Sequence, residues 1–194
     1  MSQELFDAVR AGDLGRVAGL LKADPSVVNA RNARGHSPVF IAQYHKKADV
    51  VAVLLAAEPP PELDIFDAAS VGRTARVAEL LDADPSRLNA YTNDGFFPLA
   101  LAAFFGYADT VQLLVARGAA VTQVMRNPMG FQAIHAAVHG GSVAAARALL
   151  AHGADPKAQN GAGKSAIGMA ADHNDIELLK LLKATGSTPR GTSA

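Results

Sequence analysis

Short apolar runs alternate along this chain with glycine-marked turns in a repeating order. Gly130-Phe131-Gln132-Ala133-Ile134-His135-Ala136-Ala137 leads into Gly141, then Ala148-Leu149-Leu150, then Gly153-Ala154-Asp155. About 33 residues later comes Gly163-Lys164-Ser165-Ala166-Ile167-Gly168-Met169-Ala170-Ala171, followed by Ile176, Leu178-Leu179-Lys180-Leu181-Leu182 and Gly186. Each stretch predicts the same elements. A glycine supplies a turn, a short helix carries small residues on one face, and a glycine or asparagine breaks it. A second helix with paired leucines follows, and a glycine stands just past its last turn.

The first half obeys the same order. Gly35-His36-Ser37-Pro38-Val39-Phe40-Ile41-Ala42 runs on to Val53-Leu54-Leu55, and Gly95-Phe96-Phe97-Pro98-Leu99-Ala100-Leu101-Ala102-Ala103 runs on to Leu113-Leu114 and Gly118-Ala119. Pro38 and Pro98 fall in the first helical turn, where a missing N–H does no harm. Longer echoes lie about 60 residues apart, close to two repeat lengths. Leu5-Phe6-Asp7-Ala8 returns as Ile65-Phe66-Asp67-Ala68, Ala23-Asp24-Pro25-Ser26 as Ala83-Asp84-Pro85-Ser86, and Asn29-Ala30 as Asn89-Ala90. Stacked repeats of this size build an extended surface in which each unit touches its neighbours, and this shifts the expectation from catalysis towards binding.

In spacing and pattern, summed over units, the chain resembles ankyrin repeats. Their signature is a turn glycine before T-P-L-H-x-A-A, then G, L-L and G-A-D. No unit has every letter. Ser37-Pro38-Val39-Phe40 keeps the proline and loses the histidine, whereas Gln132-Ala133-Ile134-His135 does the reverse. The resemblance covers roughly residues 4–186 and is to the small, stand-alone, bacterial-type kind, in keeping with the alanine and arginine content. It implies an all-α solenoid of about six helix-turn-helix units with short β-hairpin fingers. The expected units are about 4–30, 31–58, 63–90, 91–125, 126–158 and 159–186, in one domain over 1–186, with the first and last units as caps. Residues 187–194 are expected to be a flexible tail.

One irregularity stands out. Equivalent alanines lie about 34 residues apart at Ala8 and Ala42, and only about 26 apart at Ala42 and Ala68. Glu58-Pro59-Pro60-Pro61-Glu62 occupies the shortened junction, and three consecutive prolines offer no ladder donors. We expect one finger to be missing near residues 58–63. The alternative is two domains joined by a proline linker, against which the short spacing argues.

Composition narrows the functional classes. The 194 residues carry 18 basic and 18 acidic side chains, so there is no bulk charge to attract nucleic acid or an anionic membrane. The opening Met1-Ser2-Gln3-Glu4 lacks the basic flank and apolar run of a signal peptide, and no apolar run approaches the ~20 residues of a membrane span, so the cytoplasm is the expected location. Without cysteine there is neither disulfide nor thiolate chemistry.

Candidate chemistry yields to the repeat. Ala158-Gln159-Asn160-Gly161-Ala162-Gly163-Lys164-Ser165 satisfies a relaxed phosphate-loop pattern, which is the basis of a nucleotide-binding alternative. Yet it follows the end of a helix and a turn, and its Gly-Lys-Ser falls where the repeat needs a turn and a helix cap. His135 and His139 are spaced for two metal ligands on one helix face, but no nearby carboxylate or cysteine completes a set. His135 also occupies the repeat's histidine position, where a ring bonds backbone across the turns. No catalytic motif is found, and neither cofactor nor metal is expected.

The resemblance places the binding surface on the finger tips and the exposed face of the first helices, the concave side. The residues at matching positions are Arg34, His36, Tyr44, His45, Asp94, Phe96, Phe104, Phe105, Tyr107, Met129, Phe131, His139, Lys164 and His173. The centre of this row is aromatic and its ends are polar, the make-up of a binding hot spot with a rim. The expected function is a non-enzymatic interaction module that binds a protein or peptide, with no nucleic-acid or membrane partner, acting as a monomer. The alternative is a homo-oligomeric scaffold using the aromatic patch.

Overall fold

The structure is a computed structural model and describes residues 2–185, without the side chain of Thr185. Gly186 and the tail expected over 187–194 lie outside the described residues. Within them the chain forms twelve α-helices in six antiparallel pairs. They are α1 Ser2–Ala11 with α2 Leu14–Ala23, α3 Pro38–Tyr44 with α4 Ala48–Leu55, and α5 Ile65–Ser70 with α6 Thr74–Ala83. They continue as α7 Pro98–Phe104 with α8 Ala108–Ala116, α9 Ala133–His139 with α10 Val143–Ala151, and α11 Ala166–Asp172 with α12 Ile176–Thr185.

Local chemistry sets these boundaries. Ser37, Asp64, Ser142 and Ser165 cap α3, α5, α10 and α11 by accepting backbone N–H bonds from the first turn. Asp24 and Asp84 each accept from the N–H and hydroxyl of Ser26 and Ser86, which starts the short 3₁₀ turns Pro25–Asn29 and Pro85–Asn89. The duplication persists one step on. Asn29 Oδ1 accepts from Glu62 N at 2.7 Å, and Asn89 Oδ1 accepts from Ala120 N at 3.1 Å, each tying its unit to the next.

The helices lie in two layers. The inner layer stacks α1, α3, α5, α7, α9 and α11, and the outer layer pairs α2 with α4, then runs through α6, α8, α10 and α12. Leu5, Val39, Leu54, Leu99, Leu114, Ile134, Leu149 and Leu178 are fully buried along the seam. Alanine lets the inner helices approach, and Ala42, Ala68, Ala69, Ala102, Ala103, Ala136 and Ala137 are likewise buried. No single unit could bury such a face alone, which is why the stack is needed.

The fingers are tight turns. Asn32 N donates to His36 O, Thr92 N to Phe96 O, Met125 N to Phe131 O and Asn160 N to Lys164 O. Among the described residues no strand forms, and the hairpins expected from the resemblance reduce to an isolated bridge between Gln159 and Ser165. Turns of five to seven residues close one or two backbone bonds and leave no chain for a ladder. Neighbouring fingers still join, through Arg126 N to Gly95 O at 2.9 Å and Gly161 N to Met129 O at 3.0 Å. Gly95 makes the first contact feasible: its φ is +83°, and a Cβ there would lie 2.4 Å from the carbonyl carbon of Arg126.

Residues 57–64 cross from α4 to α5 without helix, strand or hydrogen-bonded turn. Here the outer layer opens, since α4 and α6 barely touch, while α3, α5 and α7 remain packed in the inner layer. The consequence is a bend. Units two and four meet across unit three, whose α5 is the shortest α-helix among the described residues and ends at the small residue Ser70.

Candidate functional site

Three hydrogen bonds and one shared pocket wall span unit three. His36 Nε2 lies 3.1 Å from Asp94 Oδ1, 58 positions away. Asn93 Nδ2 donates to Arg34 O at 3.1 Å, and Gln43 Nε2 to the Tyr107 hydroxyl at 3.3 Å. At the shared wall, Tyr44 of unit two lines a small apolar pocket with Phe96, Phe104 and His139 of units four and five.

These contacts shape a trough of about 740 Å³ on the concave side. Its walls come from α1 (Gln3, Arg10), the second finger (Asn32, Ala33, Arg34, His36), α3 (Phe40, Ile41, Tyr44) with His45, the fourth finger (Asp94, Phe96) and the fifth (Asn127, Pro128, Met129). The smaller pocket, about 50 Å³, opens beside it between Tyr44, Phe96, Ala100, Leu101, Phe104, Met125, Met129, Phe131 and His139. Tyr44, Phe96 and Met129 border both, so the two form one continuous depression.

Rings order this surface. His36 stacks on Phe40 at 4.4 Å between centroids, Phe40 on Tyr44 at 6.3 Å, and Tyr44 meets His45 edge-on at 5.7 Å. On the facing side Phe104 stacks on His139 at 5.6 Å, and Phe131 meets the same ring at 5.7 Å. Tyr44 is 48% exposed, whereas Phe96 and Phe104 are half-buried and Phe131 is buried. Tyr44 thus stands at the mouth of the small pocket and Phe131 lies in its floor.

The sequence-predicted residues divide accordingly. Arg34, His36, Tyr44, His45, Asp94, Phe96 and Met129 line the large trough, and Phe104, Phe131 and His139 line the small pocket. Four lie elsewhere. Phe105 sits at the C-terminal end of α7, edge-on to Phe104 at 4.8 Å. Tyr107 faces a separate hollow beside Gly72, Thr74 and Thr110. Lys164 is exposed, with its ammonium on Asp172. His173 is exposed, its ring 6.2 Å from that of His139.

Electrostatics sharpen the picture. His139 holds its proton less readily than an ordinary histidine, through burial first, then the neighbouring charges of His173 and Lys46. His135 is fully buried, with Nε2 2.8 Å from Ala158 O, while its Nδ1 accepts from Gln132 N at 3.2 Å. The ring is therefore neutral, with its proton on Nε2. Burial lowers its proton affinity accordingly. Its place is structural, pinning one finger to the next.

The phosphate-loop string is consumed internally. Asn160 Oδ1 accepts from Ala162 N and Lys164 N, Asn160 O from Gly163 N, and Met129 O from Gly161 N. The N–H groups a phosphate would need already have partners, and the lysine is held by Asp172.

The pattern reading missed a charged cluster under the bend. Asp67 is 2% exposed, accepts from Ser37 Oγ at 2.6 Å and is paired with Arg31 at 2.9 Å. Burial, with Asp64 beside it, raises this carboxyl to about 6, and Arg31 and Ser37 draw it partly back. The available signal was a carboxylate standing where the second and fourth units carry Ile41 and Leu101.

Comparison with known proteins agrees with this architecture. The ankyrin-repeat family, as three-copy blocks, matches residues 5–125 and 65–160. The chain belongs to the ankyrin-repeat family, whose members are in general protein–protein interaction modules and typically lack catalysis of their own. Among similar proteins, mouse (Mus musculus) ankyrin repeat and SAM domain-containing protein 6 is 36% identical over 121 residues, covering 61% of this chain and 14% of that protein. Human (Homo sapiens) mitochondrial disaggregase is 28% identical over 187 residues, covering 93% of this chain and 26% of that protein. The Saccharomyces cerevisiae oxysterol-binding protein homolog 1 is 28% identical over 176 residues, covering 80% of this chain and 15% of that protein. The chain thus spans a quarter or less of the first and third of these and about a quarter of the second. Among the described residues no helix is long and apolar enough to cross a membrane.

Proposed function

We propose that residues 1–186 act as one non-enzymatic binding module, and that its concave trough and finger tips hold a protein or peptide partner. The observation that carries this reading is the continuous depression of about 740 Å³ with an aromatic pocket at its side, assembled from several repeats. Its aromatic centre and polar rim have the composition of a protein-binding hot spot. Its walls are tied together by finger-to-finger bonds, so little ordering remains to be done on binding. Arg34, Tyr44, His45, Phe96, Phe104 and Met129 are the contact residues, with His36 and Asp94 holding the wall between them. Phe105, Tyr107, Lys164 and His173 extend the surface around its margin.

Affinity purification from the native cell tests this. The intact chain should retain a partner that a folded Phe104→Ala/Phe105→Ala variant loses. Retention by the variant would contradict the reading.

A further inference from the structure

The chain is neutral, yet two cations of its concave face, Arg34 and Lys46, stand without a carboxylate partner among the described residues. The carboxylates beside the trough are already held: Asp7 by Arg10 at 2.8 Å, Asp64 and Asp67 by Arg31 at 3.2 and 2.9 Å, Asp94 by the His36 ring at 3.1 Å and Asp172 by Lys164. Among the described residues, no carboxylate lies within ion-pair distance of Arg34 or Lys46. Arg34 lines the trough, and the charge of Lys46 is felt at His139, which lines the pocket. The trough opens on the small pocket, whose walls are mostly Phe, Met, Ala and Leu, with the Tyr44 hydroxyl and the His139 ring as its polar groups.

Resting on the concave-face reading, we propose that the partner is an extended acidic segment of a protein. One apolar side chain of that segment seats between Tyr44, Phe104 and Met129, and flanking carboxylates lie beside Arg34, His45 and Lys46. Charge complementarity selects the sign of the segment, because a basic segment would meet Arg34 and Lys46, which have no counter-ion within ion-pair distance among the described residues. The pocket favours an apolar anchor, since most of its wall is Phe, Met, Ala and Leu and a polar group set against that wall would go unpaired. A nucleic-acid strand fits less well: Phe104 and Phe131 are walls and floor of a pocket and not an open stacking platform.

The test is selection of a random dodecapeptide display library on the full chain, followed by solution titration of the enriched peptides. The expected winners carry a net negative charge around one Leu, Ile, Val or Phe. They should weaken roughly tenfold or more against Arg34→Glu/Lys46→Glu, and also as ionic strength rises. An outer-layer control, Arg147→Glu, should leave them unchanged. Winners without acidic excess that are still lost on Tyr44→Ala/Phe104→Ala would overturn the acidic assignment alone and leave the concave reading standing. Acidic winners that bind Tyr44→Ala/Phe104→Ala undiminished would overturn the concave reading itself. An empty selection, or tighter binding of a labelled single-stranded oligonucleotide than of any peptide, would also overturn the proposal.

Discussion

His36 and Asp94 meet at 3.1 Å although 58 positions separate them and a whole helical pair lies between. The contact exists because unit three presents no finger and a short inner helix, so the second and fourth fingers close over it. Asp94 is further fixed by the Thr92 hydroxyl at 2.7 Å, and His36 by the Phe40 ring beneath it. The missing finger is thus a constructive feature: it turns a straight stack into a bent one and gives the concave face its trough.

A double-mutant cycle measures that link. His36→Ala and Asp94→Ala should each destabilise the chain, and their coupling should be about 0.5–1.5 kcal/mol in urea denaturation, as for a largely buried polar pair. Strictly additive effects would mean that the two fingers do not support one another.

Asp67 makes stability depend on pH in an unusual direction. Its folded carboxyl titrates at about 6, against 3.8 when free, so the native state binds the extra proton between those values. Stability from this group is therefore fully present below the unfolded value and lost as pH rises through about 6, by up to about 3 kcal/mol. Relative to an Asp67→Asn variant, the intact chain should lose stability between pH 4 and 7. His135 works in the opposite sense but is common to both proteins, so the difference isolates Asp67. A pH-independent difference would contradict the assignment.

Lys46 occupies a strained turn. Between paired helices Gly12, Gly72, Gly106 and Gly141 stand at positive φ, whereas Lys46 and Asn174 adopt φ +56° and +53° with side chains, a conformation asparagine tolerates better than lysine. Lys46→Gly should stabilise the chain by about 0.5–1 kcal/mol, the relief of left-handed strain exceeding the added freedom of the unfolded chain. A lower urea midpoint would argue against this.

The aromatic patch was also expected to serve self-association as an alternative. Sedimentation at several concentrations should show a monomer, with no change on Tyr44→Ala/Phe104→Ala. A concentration-dependent dimer abolished by that variant would favour the scaffold.

Much of this was legible in the chain itself. The glycine, leucine and alanine spacing fixes six helix pairs, and the short interval from Ala42 to Ala68 locates the irregular junction. The bend was not legible, because it depends on how far the outer helices α4 and α6 part, which no local pattern records. For the same reason the repeat alignment assigns His36 and Asp94 to the concave face without identifying them as each other's partners. Tyr107 was grouped with the neighbouring phenylalanines by proximity in sequence. Yet it immediately precedes α8, and its ring lies over Gly72, where glycine alone leaves it room. Asp67 went unnoticed as one carboxylate in an otherwise apolar helix, and its partners Arg31 and Ser37 come from the preceding unit.

The most direct test of the account is site-specific photo-crosslinking in the native cell. A photoreactive residue replacing Tyr44, at the mouth of the pocket, should yield a discrete adduct with a partner protein, whereas one replacing Gln112, exposed on α8, should yield none. Equal adducts at both positions, or an adduct at Gln112 alone, would show that the trough is not where this protein holds its partner.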